Sequence, residues 1–324
     1  MAAAMLEAVG APAQAAETTA AMLVHADLEG HGSHGVRLLP DYCSRCRSGA
    51  IDPTASPRID RDDGSTAVLD GRRALGQVAG LVAADLAVER ARAHGVAIVT
   101  MQRSGHLGRL AGYVARMAAN GVVAVLVVND SGANQVVAPH GSGEGRLATN
   151  PIAIGIPRPA PPHLVLEMAT SVASHGTVEL HRLTGAALPE GWTAGDVLLP
   201  LGGAKGTGLA LFVDLLAGVL SGAGSSREAP AHDYQGVWVL ALDPGRFLAP
   251  GQLETETERL VRYVRSARPL PGHEVLVPGE PSARAVEALL RDGIPVLAPV
   301  WASLCELATE LDVPIPDHRY EEAA

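Results

Sequence analysis

The chain has 324 residues, of which 47% are hydrophobic, 19% charged and only 3% aromatic, and its formal net charge is -10 at pH 7. This length is sufficient for a sizeable core and for two domains. The acidic balance, without any basic run, argues against nucleic acid as a partner, because phosphate binding requires concentrated positive charge.

The alanine-rich start predicts an amphipathic helix rather than a signal peptide, since Glu7 and Glu17 interrupt its apolar run and no basic segment precedes it. No uncharged stretch is long enough to span a membrane. The three cysteines do not form a disulfide framework. Cys43 and Cys46 make a single C-x-x-C in a helical stretch, and no second pair completes a zinc site. We therefore expect ordinary thiols, no metal site and a reducing cytoplasm.

Helices alternate with strands along most of the chain, which indicates the α/β class. Residues 51–63 are predicted to be an extended connection, and the stretch after residue 170 is predicted to be polar and loop-like. Helices are predicted over 3–29 (broken at 10–12), 39–47, 75–94, 109–120, 207–220, 253–267, 282–291 and 300–311, and strands over 66–71, 96–101, 122–128, 151–156, 164–167 and 237–242.

The run from Gly30 to Arg37 concentrates two imidazoles, a hydroxyl and a guanidinium among three glycines, and Tyr42 follows shortly after. Glycine lets the backbone approach a ligand closely, and histidine transfers protons near neutral pH. Ser33 is predicted to cap the helix that follows. The alternative is a polar surface loop.

His106 lies between two glycines after a buried strand, where α/β proteins tend to place ligands. The alternative is a structural histidine. Glu167 ends another strand, and its carboxylate is expected either to bind a ribose hydroxyl pair or to cap the next segment. His175 and His181 are predicted to be surface residues.

Gly202-Gly203-Ala204-Lys205-Gly206-Thr207-Gly208 follows a strand-like run and opens a helix. Exposed backbone N–H groups, the helix dipole and the Lys205 ammonium favour an anion there. The alternative is a turn whose lysine points to water, because the spacing is not that of a phosphate loop. The glycine fingerprint G-x-G-x-x-G of the usual dinucleotide fold is missing.

These segments, in a fixed order over nearly the whole chain, resemble the malate/L-lactate dehydrogenase family that lacks a Rossmann fold. That family includes ureidoglycolate, sulfolactate and 2,3-diketogulonate dehydrogenases and cyclic imino-acid reductases. The resemblance rests on residues 26–30, 33–36, 76–77, 106–108, 112–113, 138–139, 149–151, 167–170, 191–192, 199–203, 205–206 and 278–280.

The resemblance implies an α/β fold of two domains, with mixed sheets flanked by helices. One domain, residues 1–70 and 235–324, would be built from both chain ends, and residues 71–234 would form the central NAD(P)-binding domain. It also implies a homodimer that transfers a hydride between NAD or NADP and the C2 of a small 2-oxo or 2-hydroxy acid.

By the same resemblance, His34 or His106 is the proton donor and acceptor, and Ser33, Arg37 and Tyr42 hold the substrate. Arginine suits a carboxylate because it offers two parallel hydrogen bonds. The residues expected to line the cofactor are Asp130, Thr149, Glu167, Met168, Ala169, Lys205, Gly206, Gly279, Glu280 and Pro281.

The chain departs from the family pattern at several positions. Gly32 replaces an aspartate, Leu38 stands where an arginine is common, and Glu167 replaces an aspartate. The segment between Trp192 and Pro200 is also shortened. Two other functions therefore stay open: reduction of a cyclic imino acid, and a catalytically silent nucleotide-binding relative.

Overall fold

The computed structural model describes residues 1–130, 135–226 and 234–317. The helices are α1 (Ala2–Ala8), α2 (Ala13–Leu28), α3 (Leu39–Arg47), α4 (Gly76–His94), α5 (Ala111–Ala119), α6 (His175–Thr184), α7 (Ala204–Val213, continued by the π-helical segment Asp214–Leu220), α8 (Gln252–Arg265), α9 (Glu280–Asp292) and α10 (Ala298–Glu310). The strands are β1 (Arg58–Asp62), β2 (Thr66–Asp70), β3 (Val96–Ser104), β4 (Val123–Asp130), β5 (Ile152–Ile156), β6 (Leu164–Met168), β7 (Thr193–Ala194), β8 (Val197–Leu198) and β9 (Gln235–Leu242).

Seven of these strands form one mixed sheet in the order β1-β2-β3-β9-β4-β5-β6. Only β2 and β3 pair in parallel, and the other neighbours are antiparallel. The late strand β9 lies between β3 and β4, where Val239 faces Val99 on one side and Leu126 on the other. The predicted α/β class with a mixed sheet is confirmed.

Helices cover both faces of this sheet, which explains the continuous apolar run in β4. Leu126 and Val128 belong to the core beneath α4 and α5. Val127 points the other way and packs with Val213 and Ala217 of α7 and its π-helical continuation. A strand buried on both faces does not show the alternation of apolar and polar residues that a half-exposed strand shows.

A second core joins the two ends of the chain. Met5 of α1, Leu23 of α2, Leu39 of α3 and Leu304 of α10 belong to one buried cluster. The large sheet takes strands from both predicted segments, 1–70 with 235–324 and 71–234. The division into two domains at those boundaries stays a prediction.

Besides the two-residue strands β7 and β8, two elements were not predicted. Residues 58–62 form the edge strand β1 within the stretch predicted to be an extended connection, and all five of its residues are exposed. Helix α6 lies in the region predicted to be loop-like, and Ser174 caps it by accepting a hydrogen bond of 3.1 Å from the Thr177 N–H. Both elements lack a strong apolar period, the signal on which the predictions relied.

Candidate functional site

The loop that carries His34 consists of two short 3-10 turns, Gly32–His34 and Val36–Leu38, between α2 and α3. Asp27 of α2 holds the loop, because its Oδ2 accepts a hydrogen bond of 2.8 Å from the Val36 N–H. A Cβ at Gly35 would overlap the Asp27 carboxylate, so only glycine fits this approach.

Ser33 was predicted to cap the helix that follows, but it does not. Helix α3 begins at Leu39 without any side-chain cap, and the buried Ser33 hydroxyl lies 2.9 Å from His34 Nδ1. The two 3-10 turns separate Ser33 from the helix start, so its hydroxyl is available to the imidazole instead.

His106 lies in the turn between β3 and α5 and faces the His34 loop. The two imidazole rings stack, with centroids 6.2 Å apart and an angle of 18° between their planes. Tyr42 of α3 makes a hydrogen bond of 2.7 Å between its Oη and His106 Nδ1. The amide of Gln77, near the start of α4, donates to the same Tyr42 oxygen at 3.0 Å.

Burial sets the protonation of these groups. It lowers the pKa of His34 to about 3, and the neighbouring His106, His31 and Arg37 lower it further. Burial also raises the pKa of Tyr42 well above its usual range, so the phenol keeps its proton. Burial raises the pKa of Asp27 to about 6, although the hydrogen bond from Val36 and the Arg37 charge act in the opposite direction.

Arg37 reaches across the His34 loop towards the start of α6. Its Nε donates a hydrogen bond of 2.9 Å to the Ser33 carbonyl. A Cβ built on Gly176 would lie only 2.7 Å from Arg37 Nη2, so the guanidinium packs on the first turn of α6. His175, predicted to be a surface residue, opens this helix and lines the same cavity as Arg37.

These groups surround a cavity of about 470 Å³. It brings together nine of the residues predicted for the site, and Tyr42 adjoins it through its hydrogen bond to His106. The nine are Ser33, His34, Arg37, His106, Asp130, Thr149, Glu167, Met168 and Ala169.

The remaining predicted residues, at 205, 206 and 279–281, are not among those that line the cavity. Lys205 is exposed in the first turn of α7. Its turn adjoins the cavity through Leu201, whose N–H donates to the Thr170 carbonyl at 2.9 Å. Glu280 is buried, accepts a hydrogen bond of 2.9 Å from the Val277 N–H and pairs with Arg265. A role for residues 279–281 in cofactor binding stays a prediction.

The Glu167 carboxylate binds the backbone just before α5, a helix earlier in the chain, and not the following segment that it was expected to cap. Its Oε1 accepts a hydrogen bond of 2.5 Å from the N–H of Leu110, the residue before α5, and its Oε2 lies 3.0 Å from Arg109 Nε. A contact with a ribose stays a prediction. The buried Arg109 also pairs with Glu29 at the end of α2 and donates to Ser282 of α9 at 3.2 Å. Arg109 therefore connects three elements at one side of the cavity.

Asp27, Gln77 and Arg109 were not predicted to have a role in the site. Asp27 and Gln77 belong to the segments that carried the family resemblance, whereas Gln77 and Arg109 contact residues that are distant in sequence. Gln77 is separated from Tyr42 by 35 positions, and Arg109 from Ser282 by 173. The signals in the sequence were the resemblance segments 26–30 and 76–77, which contain Asp27 and Gln77.

The C-x-x-C pair and the possibility of a metal site were the other features considered from the sequence. Burial raises the pKa of Cys43 to about 12 and that of Cys46 to about 11, which keeps both thiols protonated and unreactive. Within the described ranges, no three His, Cys, Asp or Glu side chains are grouped as metal ligands would be. No helix in this part of the chain is long and apolar enough to cross a bilayer.

Comparison with known proteins gives a consistent result. Residues 1–305 match the family described as Malate/L-lactate dehydrogenase. The chain is 34% identical to a malate dehydrogenase of Pyrococcus horikoshii, over 95% of this chain and 92% of that protein. It is also 34% identical to an L-lactate dehydrogenase of Cupriavidus necator, over 96% and 95%.

A similar solved structure is the delta1-piperideine-2-carboxylate reductase of Pseudomonas syringae pvar. tomato, with a TM-score of 0.83, 28% identity and coverage of 96% of both chains. The shared fold and the match over most of the sequence agree with one another. The chain belongs to the malate/L-lactate dehydrogenase family of oxidoreductases.

Proposed function

We propose that this chain is an NAD(P)-dependent dehydrogenase that interconverts a small 2-oxo acid and the corresponding 2-hydroxy acid. Family membership supports the oxidoreductase chemistry on hydroxy acids. The observation that carries the proposal for this chain is the pair of stacked imidazoles, 6.2 Å apart, on the wall of a cavity that Arg37 also lines.

The cavity wall fits a nicotinamide. Asn150 lies there with a φ of 38°, an uncommon conformation for a residue other than glycine. Its Nδ2 donates to the Ala210 carbonyl at 2.9 Å, which fixes the orientation of the amide. Its Oδ1 is a buried acceptor without a partner among the described residues. A carboxamide N–H would satisfy such an acceptor.

Asp130, Thr149, Glu167, Met168 and Ala169 are proposed to hold the cofactor, because they line the same cavity. Lys205 and Gly206 would contribute from the adjoining turn, where a helix N-terminus and an ammonium favour phosphate. When bound, the nicotinamide supplies or accepts the hydride at C2 of the acid.

His106 is proposed as the group that exchanges a proton with the substrate oxygen. Addition of a hydride to C2 would leave an alkoxide oxygen that needs a proton, and a positioned imidazolium within hydrogen-bond reach would provide it. His34 is less suited, because burial lowers its pKa to about 3 and leaves it neutral near pH 7. His34 is therefore proposed to orient the substrate together with the Ser33 hydroxyl, which lies 2.9 Å from its Nδ1.

Arg37 is proposed to bind the substrate carboxylate. It occupies the side of the cavity where α6 begins, so the charge of the guanidinium and the positive end of the helix dipole act on the same region. Leu38 stands where the family commonly has arginine, and it also lines the cavity. Because leucine is uncharged, Arg37 is the arginine that the His34 loop offers to the substrate carboxylate.

The proposal is tested by following NADH and NADPH absorbance with a panel of 2-oxo acids. We expect turnover with at least one acid, and we expect the His106→Ala variant to lose it. Binding of the cofactor without turnover in the wild-type protein would favour the catalytically silent alternative. No binding of either dinucleotide would contradict the proposal.

Reduction of a cyclic imino acid is a second candidate, because the reductase of Pseudomonas syringae has the same fold over 96% of both chains. The same site would serve, since a cyclic imine carries its carboxylate beside the reacting carbon. Adding cyclic imino acids to the panel separates the two functions: the substrate class with the higher kcat/KM identifies the activity.

We further propose that the protein is a homodimer and that the second copy covers α7. After Lys205 and Thr207 in its first turn, this helix carries only apolar residues and glycine up to Val213, which is typical of a buried helix. Ala210 and Val213 are buried against the sheet, whereas Phe212 is 65% exposed and Leu220, in the π-helical continuation, is 61% exposed. An exposed apolar face of this kind marks an interface.

We also propose that the protein works in the cytoplasm. Cys43 and Cys46 lie in one helix and Cys305 in another, and all three are free thiols. Free thiols are typical of a reducing compartment.

A further inference from the structure

The buried amide of Gln77 connects the start of α4 to the proposed proton donor. Its side chain is 1% exposed. A Cβ at the preceding Gly76 would overlap the His106 carbonyl, so α4 begins directly against the turn that carries His106. Gln77 itself does not line the cavity. Any effect of this residue on the reaction must therefore act through a neighbour.

The neighbours determine which end of the amide faces Tyr42. The same Gln77 atom lies 3.0 Å from Tyr42 Oη and 3.4 Å from the Leu107 carbonyl oxygen. A carbonyl oxygen only accepts hydrogen bonds, so this atom must be the NH2 group that donates. The reversed amide would place two acceptors against each other. Gln77 is therefore a donor to the Tyr42 oxygen.

This donation favours one position of the Tyr42 proton. Tyr42 Oη has one proton, and the two acceptors within reach are His106 Nδ1 at 2.7 Å and the His106 carbonyl at 3.3 Å. When the imidazole is neutral, the phenol donates to the nearer acceptor, Nδ1, because the bond accepted from Gln77 polarises the hydroxyl and makes it a stronger donor. An imidazole that accepts at Nδ1 carries its proton at Nε2.

The same three residues also accommodate the protonated imidazole. The Nδ1–H then donates to Tyr42 Oη, and the phenol proton turns to the His106 carbonyl at 3.3 Å. The oxygen still accepts from Gln77 through its second lone pair. Only a hydroxyl hydrogen moves between the two states, so His106 gains and loses its proton without a shift of heavy atoms.

We propose that Gln77 is a positioning residue for catalysis: through Tyr42 it holds neutral His106 as the Nε2–H tautomer. The relevance of this inference to the reaction rests on the proposed role of His106 as the proton donor. The hydrogen-bond geometry is independent of that role, and it can be tested without turnover.

Tautomers are read directly from ¹H–¹⁵N correlation spectra of the imidazole rings, with His106 assigned by its loss in a His106→Asn variant. We expect the Nε2–H tautomer for neutral His106 in the wild-type protein. In Gln77→Leu the amide donor is lost, and we expect both tautomers to be populated. An Nδ1–H tautomer in the wild type, or an unchanged spectrum in Gln77→Leu, would overturn the proposal.

Kinetics provide the second measurement. We expect Gln77→Leu to lower kcat by about tenfold, which is part of the ~10²–10⁴-fold rate enhancement that a positioned acid contributes. We expect KM for the acid to stay within about twofold of the wild-type value. Gln77→Met, which also lacks the donor but keeps an unbranched side chain, gives the same test if the leucine variant does not fold. A variant that folds and keeps both the wild-type kcat and the wild-type tautomer contradicts the inference.

Tyr113→Phe is the matched control. Tyr113 is fully buried, and its hydroxyl donates to the same Leu107 carbonyl at 2.7 Å. The loss of this hydrogen bond should lower Tm and leave the tautomer of His106 unchanged. A shift of the His106 tautomer in this control would show that any weakening of the packing around Leu107 changes the tautomer. That result would overturn the specific role of Gln77. If the wild type turns over no acid, the proposed function fails, and the spectra still decide the positioning role.

Discussion

Tyr42 and His106 are 64 positions apart in the sequence, and a hydrogen bond of 2.7 Å joins the phenol Oη to the imidazole Nδ1. One side chain comes from helix α3 and the other from the turn after strand β3. Because the phenol is buried and keeps its proton, it gives the imidazole a constant partner at one nitrogen. In the proposed reaction, the other nitrogen exchanges the proton with the substrate.

Replacing His106 by alanine is expected to lower kcat by about 10²–10⁴-fold, since the reaction loses its positioned acid. His34→Ala should reduce kcat less and raise KM for the acid more, because His34 is neutral near pH 7. Steady-state kinetics with the preferred acid measure both. His94→Ala, at the exposed end of α4, is the control and should keep wild-type values. A larger loss of kcat in His34→Ala than in His106→Ala would reverse the two roles.

Arg37→Met is expected to raise KM for the acid about 10- to 100-fold, which corresponds to losing a charge-assisted hydrogen bond worth about 1.5–3 kcal/mol. The double variant Arg37→Met with Leu38→Arg should recover part of the affinity, because residue 38 also lines the cavity. The control is Arg47→Met, which removes an exposed arginine at the end of α3 that pairs with Glu310 of α10. An unchanged KM in Arg37→Met would remove Arg37 from the substrate site.

Asp27→Asn is expected to change how stability depends on pH. The pKa of Asp27 is raised from 3.8 to about 6 in the folded protein, so between these values the folded state binds more protons than the unfolded state. Wild-type stability therefore falls, relative to the variant, as the pH rises from about 4 to about 6. Since the carboxyl is partly exposed, we expect a difference of about 1 kcal/mol rather than the full value.

Urea unfolding of both proteins at several pH values between 4.5 and 8 measures this difference. The lowered pKa of His34 changes stability in the opposite direction over part of this range, but both proteins carry His34, so its contribution cancels. A constant difference between the two proteins across this range would show that Asp27 ionises at its usual pKa.

Phe212→Glu is expected to dissociate the proposed dimer, because it places a charge on the exposed apolar face of α7. Light scattering coupled to size-exclusion chromatography measures the mass. The control is Ile59→Glu on the edge strand β1, which is 42% exposed and should leave the dimer intact. A wild-type protein that elutes as a monomer at micromolar concentration would contradict the proposal.

Much of the fold was predictable because its signal is local. The predicted helix over 39–47 agrees with α3, and the predicted strand over 151–156 agrees with β5 to within one residue. Helix α6 and strand β1 were missed, because the first begins in a polar stretch and the second is exposed on both faces. The chemistry of the His34 loop was also visible, since glycine, histidine and serine lie together in the chain.

By itself the sequence determined the α/β class, the family and the residue types at the cavity, because apolar periodicity and short motifs act over a few positions. Only the tertiary structure decided which groups meet. It placed β9 inside the sheet, stacked His34 on His106, and connected Gln77 to His106 through Tyr42. It also set the protonation of His34 and Asp27, because the cost of charging a side chain depends on its burial, and burial depends on residues distant in the chain.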